Sequence, residues 1–357
     1  MDKLFLFREK IKDLNIDAAL IFDELNQRYL CDYAFTDGLL YISQTEAFLV
    51  TDFRYYESAL ERANKQFTVI KSNSPRSETL DKLIRDHCVR RIGFEGGSVS
   101  YKFYKKSTEK YSAIEFVDIG DITERLREIK TPAEIAKIQA AQDIADRAFS
   151  QLIKNITPAM TEIEVAVELD YLIRKQGADG VAFDTIAISG KASSVPHGTA
   201  RNCKLENGFL TLDFGAKVDG YLSDMTRTVV IGKADFEMKK LYKTVLEAQS
   251  RALEFLREGV DCNEADKVAR DYINSFEEYK DTFGHGLGHC IGLYVHESPG
   301  LSKRYAGIKL KSGMVTSVEP GIYLFGKYGC RIEDMVLIEK NGYYNFTKST
   351  KELIEIY

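Results

Sequence analysis

LTLDFGAKVDGYLSDMTRTVVI, residues 210–231, reads as an antiparallel hairpin carrying two carboxylates on one face. Asp219-Gly220 between apolar flanks is a strong two-residue turn signal. With these residues at the turn, Val218 faces Tyr221 and Asp213 faces Thr226. Asp224 lies two residues from Thr226, so period-two alternation places Asp213 and Asp224 on the same face. Two acids solvating an exposed sheet face would be the bland alternative. It fits poorly beside Leu210, Leu212, Phe214, Val229 and Val230. A buried carboxylate without a partner is costly, so this hairpin asks for cations.

Two further stretches make the same demand. GMVTSVEPGIYLFGKYGCRIEDMVLIE (313–339) sets Glu319 after an apolar run and Glu333 inside a second one. A charged residue that ends a buried strand is more often a ligand or a base than a surface group. The loop between these strands is longer, and its register is not readable. Only an even-sum pairing, from an odd loop or a bulge, aligns the two glutamates. FGHGLGHCIGLYVHE (283–297) holds three of the five histidines, His285, His289 and His296, interleaved with Gly284, Gly286, Gly288 and Gly292. Such a glycine density excludes an ordinary helix and implies close backbone approach. His197 stands in the polar loop SSVPHGTARN, and His87 reads as structural.

The remainder of the chain bounds what these residues serve. At 357 residues, one large or two unequal domains are expected. A net charge of −5 argues against a phosphate-gripping nucleic-acid binder. No apolar run approaches membrane-spanning length, and MDKLFLFREKIKDL reads as an amphipathic helix rather than a signal peptide. Six scattered cysteines without paired spacing read as reduced thiols of a cytoplasmic protein.

Residues 1–125 alternate strand-like runs (16–22, 46–52, 67–72, 91–96, 114–120) with helical segments (4–14, 53–64, 77–87), which predicts an α/β domain. A new domain, 126–357, opens at REIKTPAEI, where Thr131, Pro132 and Glu134 form a capping box with proline at the first helical position. Ile135, Ile138, Ala145, Phe149 and Leu152 continue that helix, and a second box at Thr161 and Glu164 starts another. Helices over 235–258 and 263–276 then precede the second pair of acids. Two helices followed by a two-carboxylate hairpin, occurring twice, suggests internal duplication about a pseudo-twofold axis.

Four carboxylates with an imidazole form a hard to borderline ligand set that suits Mn²⁺, Co²⁺, Fe²⁺ or Zn²⁺. A pair of such ions lowers the pKa of a shared water and so supplies a nucleophile at neutral pH. No G-x-S-x-G elbow is present, and GHGLGH lacks both the spacing and the terminal lysine of a phosphate loop.

DFGAKVDGYLSDMTRT, GHGLGHCIGLYVHE, VEPGIY and RIED resemble, in order, the motif blocks of the proline-specific branch of the pita-bread metallopeptidases, aminopeptidase P and prolidase. TDFRYYESA (51–59) and REIKTPAEI resemble that branch's N-terminal domain and interdomain linker, so the likeness covers nearly the whole chain. It implies a creatinase-like N-terminal α/β domain and a pseudo-twofold pita-bread catalytic domain. Asp213, Asp224, His289, Glu319 and Glu333 would bind two divalent ions, with Mn²⁺ expected first and Co²⁺ or Zn²⁺ as alternatives. Asp224 and Glu333 would bridge the ions, and Glu319 would also serve as general base and acid. His197 and His296 would flank the scissile carbonyl. His285 would line the pocket, and Tyr323 and Arg331 would orient a carboxylate or relay a proton. Phe183 stands where some relatives carry tyrosine.

The implied substrate is a peptide with proline in second position, and the implied assembly a homodimer. Methionine aminopeptidase fits less well, because the N-terminal domain and His285 are both present. Dipeptidase relatives grip a free carboxylate with an arginine, and Arg304 lies about one position from its place; this favours aminopeptidase P, with prolidase second. The alternative of another class is a metal-free binding module of the same fold, whose mark is missing ligands.

Overall fold

The computed structural model describes residues 2–72 and 76–357. They divide into two compact units, one up to Arg127 and one from Glu128 to Tyr357. Among the described residues of the first unit, helices α1 (Lys3–Asp13), α2 (Glu24–Cys31), α3 (Phe53–Arg62), α4 (Arg76–Asp86), α5 (Tyr101–Lys110) and α6 (Ile122–Arg127) accompany one sheet. Its strands are β1 (Ala18–Ile21), β2 (Gly38–Ser43), β3 (Ala47–Thr51), β4 (Thr68–Lys71), β5 (Arg91–Phe94) and β6 (Glu115–Asp118), in the order β4-β3-β2-β1-β5-β6. The sheet is mixed: β1 runs parallel to β5 but antiparallel to β2. Strand β2, GLLYIS, is missing from the sequence expectation. All six of its residues are buried, so it shows no alternation by which to recognise it.

The second unit begins as the capping chemistry dictates. Thr131 and Glu134 close a reciprocal box on α7 (Pro132–Asn155), and Thr161 and Glu164 do the same on α8 (Glu162–Lys175). Ile138, Ala145, Phe149 and Leu152 are buried in the core of this half, with Ile135 only partly covered. Strands β7 (Gly180–Val181), β8 (Ile186–Ser189), β9 (Gly208–Phe214), β10 (Ala216–Val218), β11 (Tyr221–Leu222) and β12 (Met225–Ile231) follow. The plan then recurs. Helices α9 (Phe236–Phe255) and α10 (Cys262–Asn274) precede β13 (Gly288–Cys290), β14 (Glu297–Leu301), β15 (Val315–Val318), β16 (Gly321–Leu324), β17 (Tyr328–Arg331), β18 (Asp334–Glu339) and β19 (Gly342–Asn345). The two main sheets, completed by β20 (Glu355–Ile356), run β20-β12-β9-β8 and β14-β13-β15-β18-β19. This is the creatinase-like α/β domain followed by the pita-bread architecture. Among the described residues no helix is long and apolar enough to cross a membrane.

Candidate active site

The first hairpin has the register its turn demands. Val218 pairs with Tyr221, and Thr226 with Asp213. Asp219 and Gly220 both adopt positive φ, 45° and 77°, as the two central residues of a type I′ turn require. Gly215 tolerates no side chain, since a Cβ would lie 1.8 Å from Ser223 O. That closeness lets the strands stay paired up to Asp224.

The second hairpin solves the register that the sequence left open. Leu324 pairs with Tyr328, leaving a three-residue loop in which Gly326 has φ 72°. The odd loop makes every pairing even-sum. Gly321 faces Arg331 on one side and Val318 faces Asp334 on the other, so Glu319 stands opposite Glu333. Two threonines of β12 join the hairpins. Thr226 accepts the Glu333 N–H at its carbonyl (3.1 Å) and donates its hydroxyl to Glu333 Oε2 (2.7 Å). Thr228 donates to Arg331 O at 2.8 Å. Arg227, between them, points the other way. Fully buried, it donates to Asp334 Oδ1 (2.8 Å) and to the carbonyls of Glu333, Ser349 and Thr350.

The histidine stretch enters as strand. His289 lies on β13, whose partner β15 approaches so closely that a Cβ on Gly288 would meet Ser317 O at 2.1 Å. The His289 Nδ1–H donates to Cys290 O at 3.2 Å. That leaves Nε2 as a lone pair, 3.6 Å from Asp224 Oδ2 and 3.5 Å from Glu319 Oε1. Asp224, His289 and Glu333 each offer a ligand atom within 4.8 Å of the other two.

The electrostatics show what this arrangement needs. Burial, then the charges of Glu333, Asp213 and Glu319, push the Asp224 carboxyl well above the usual carboxylate range. Burial and then Glu319 do the same to Glu333. Burial raises Glu319 to about 7 against the pull of Arg331. Burial, then His296, lowers His289 to about 4, so its ring is neutral. Asp213 Oδ1 and Glu333 Oε1 are buried without a hydrogen-bond partner among the described residues. Crowded acids, two orphaned oxygens and a neutral imidazole lone pair fit divalent cations and little else.

Around them lies a cavity of about 410 Å³. His197, His285 and His296 line it with the five residues above, Arg331, Phe183, Asp184, Ile186 and Val295. Arg331 donates to Asp213 Oδ2 (2.7 Å), Thr226 Oγ1 (3.0 Å) and Tyr323 Oη (2.9 Å). His285 donates Nδ1–H to Gly286 O, so its Nε2 accepts the Tyr323 hydroxyl at 2.9 Å. Burial, then the Arg331 charge, lowers His285 to about 3. Among the dipeptidase-type residues weighed from sequence, Arg304 does not line the cavity and lies 5.8 Å from the Tyr305 ring. Sequence reasoning missed Thr226 and Ser317, whose hydroxyls hold Glu333 and Glu319, and Thr228, which holds the Arg331 backbone. The threonines' signal was their alternation about Arg227 in the strand MTRTVVI.

The pattern described as Metallopeptidase family M24 matches residues 136–340, and that of the Creatinase/Prolidase N-terminal domain matches 4–129. The Xaa-Pro dipeptidase of Pyrococcus furiosus is 37% identical over 356 residues, covering 99% of both chains. The solved Xaa-Pro dipeptidase from Bacillus anthracis superposes with a TM-score of 0.95 at 39% identity, over 100% of this chain and 99% of that one. The X-Pro aminopeptidase from Thermotoga maritima does so with 0.92 at 36%, over 100% of each.

Proposed function

The chain belongs to metallopeptidase family M24, and from that membership we propose that it is an Xaa-Pro metallopeptidase releasing the first residue of peptides with proline second. The observation that carries this reading is the crowding of Asp224, His289 and Glu333 within 4.8 Å beside two orphaned carboxylate oxygens. Asp213, Asp224, His289, Glu319 and Glu333 would hold two divalent ions, Mn²⁺ first and Co²⁺ or Zn²⁺ otherwise. When bound, such ions supply Lewis acidity and lower the pKa of a shared water.

The chain's own residues do the rest. Glu319, raised towards neutrality, takes the proton of the attacking water and passes it to the leaving nitrogen. That nitrogen bears no hydrogen in an Xaa-Pro bond, so it departs as a secondary amine only once protonated. His197 and His296 line the cavity and donate ring N–H groups to the oxygen that gains charge. His285 has both nitrogens engaged, so it orients rather than donates to substrate. Through Tyr323 it steadies Arg331, which in turn fixes Asp213.

Among the described lining residues Arg331 is the one permanent cation, and it is committed to Asp213, Thr226 and Tyr323. Among the described residues no other such cation lines the cavity to grip the carboxylate of a dipeptide, which supports aminopeptidase P-like use of longer peptides. Dipeptidase activity is the second reading, favoured by the relatives that bear that name. Comparing kcat/KM for Xaa-Pro with Xaa-Pro-Yaa peptides decides between them: the first reading expects the longer peptide to be preferred. Chelation should abolish both activities, with Mn²⁺ or Co²⁺ restoring them, and full turnover in chelator would overturn the metallopeptidase reading. Six free cysteines support a reducing cytoplasm. A homodimer follows from the family likeness, with light scattering as its check.

A further inference from the structure

The far end of the histidine stretch is held by an ion pair that none of the steps above uses. Lys130 Nζ lies 2.9 Å from Glu297 Oε2, with the side chains 2% and 6% exposed. Glu297 Oε1 accepts the N–H groups of Leu293 (3.1 Å) and Tyr294 (3.3 Å). A Cβ on Gly292 would lie 2.8 Å from Glu297 Oε2, so the glycine makes room for the carboxylate. Gly292 O in turn accepts the N–H of Leu222, two residues before Asp224. Lys130 is itself pinned by its backbone, donating to Gly313 O at 2.9 Å. Val295 and His296, enclosed by these contacts, line the cavity, whereas Lys130 and Glu297 do not.

A buried ion pair is a poor device for stability alone, because apolar replacements are often neutral or better. Its particular merit is to fix one geometry. We propose that Lys130 and Glu297 are positioning residues for His296: the pair clamps the turn 292–296 so that the ring stays against the reacting carbonyl. This inference rests on the role given to His296 above.

The test is a double-mutant cycle in the full-length, Mn²⁺-loaded protein, reading kcat and KM for an Xaa-Pro-Yaa peptide together with metal content and melting temperature. Lys130→Met is expected to lower kcat roughly 10- to 100-fold with KM nearly unchanged and both ions retained, the mark of a contact made in the transition state. In a His296→Ala background the same change should cost less than about twofold further, because the two act as one unit. Glu297→Gln, which keeps an acceptor for both N–H groups but loses the charge, should fall between Lys130→Met and wild type. It carries the same cycle if Lys130→Met does not fold. In metal-free protein, the His296 ring resonances should shift in Lys130→Met while those of His87 stay. Wild-type kcat in Lys130→Met, or losses that multiply in the double variant, would overturn the clamp alone. Wild-type kcat in His296→Ala would overturn the role of His296 and the clamp with it.

Discussion

Glu319 is the residue on which the proposed chemistry turns. It directly follows β15, accepts the Ser317 hydroxyl at 3.2 Å and stands 3.5 Å from His289 Nε2. Replacing it with alanine removes both a cation ligand and the group that carries the proton. Glu319→Ala should lower kcat by about 10²–10⁴-fold or more while the far-UV dichroism stays native. Wild-type turnover in that variant would refute its assignment as base. The choice among histidines was not legible at this scale. A glycine-rich loop has no periodicity; the family resemblance singled out His289, and its place in the structure follows from long-range pairing, Cys290 with Thr316. Thr226 and Thr228 could have been read, since a threonine at alternate positions of a buried strand needs partners.

At the scale of elements, turn chemistry decided how much the sequence disclosed. Asp219-Gly220 admits one register, and the observed pairs follow from it. The loop of residues 325–327 admits several, and the observed pairs are those that align Glu319 with Glu333. Its odd length carries a prediction. If the turn keeps its three residues, deleting Lys327 draws a strand residue into the loop and slips the pairing by one, which turns one glutamate to the opposite face. The deletion should leave less than the full complement of bound metal by elemental analysis. Retention of both ions would show that the loop does not set the register. Strand β2 was illegible for a different reason: burial on both faces erases the alternation that marks a strand.

For the whole molecule, the crowded acids predict how stability follows pH. Asp224, Glu319 and Glu333 have folded-state values raised above their unfolded ones, Glu319 to about 7. Their contribution is therefore fully present below the unfolded value and is lost as pH rises through the folded one. The depressed His285 and His289 act in the opposite sense, losing stability only as pH falls through 6.5 towards about 3 and 4. From pH 6.5 through about 7 the carboxylates thus dominate. Chelated protein should melt progressively lower across that window, and saturating Mn²⁺ should remove most of the slope. A chelated protein whose melting temperature is flat or rising there would contradict the crowding.

Arg227 ties this site to a stretch of chain that supplies none of its proposed ligands. Its guanidinium reaches Asp334 and the carbonyls of Thr226 and Glu333, but its other two donors need the carbonyls of Ser349 and Thr350. Lys351 completes the set, 2.7 Å from Asp334 Oδ2. A chain cut back to Asn345 would still carry every proposed cation ligand. It still leaves a buried arginine short of two acceptors and an aspartate short of one cation, at a cost of about 3–5 kcal/mol for such a broken network. The contacts of residues 349–351 thus brace the site from a stretch that touches none of its proposed ligands.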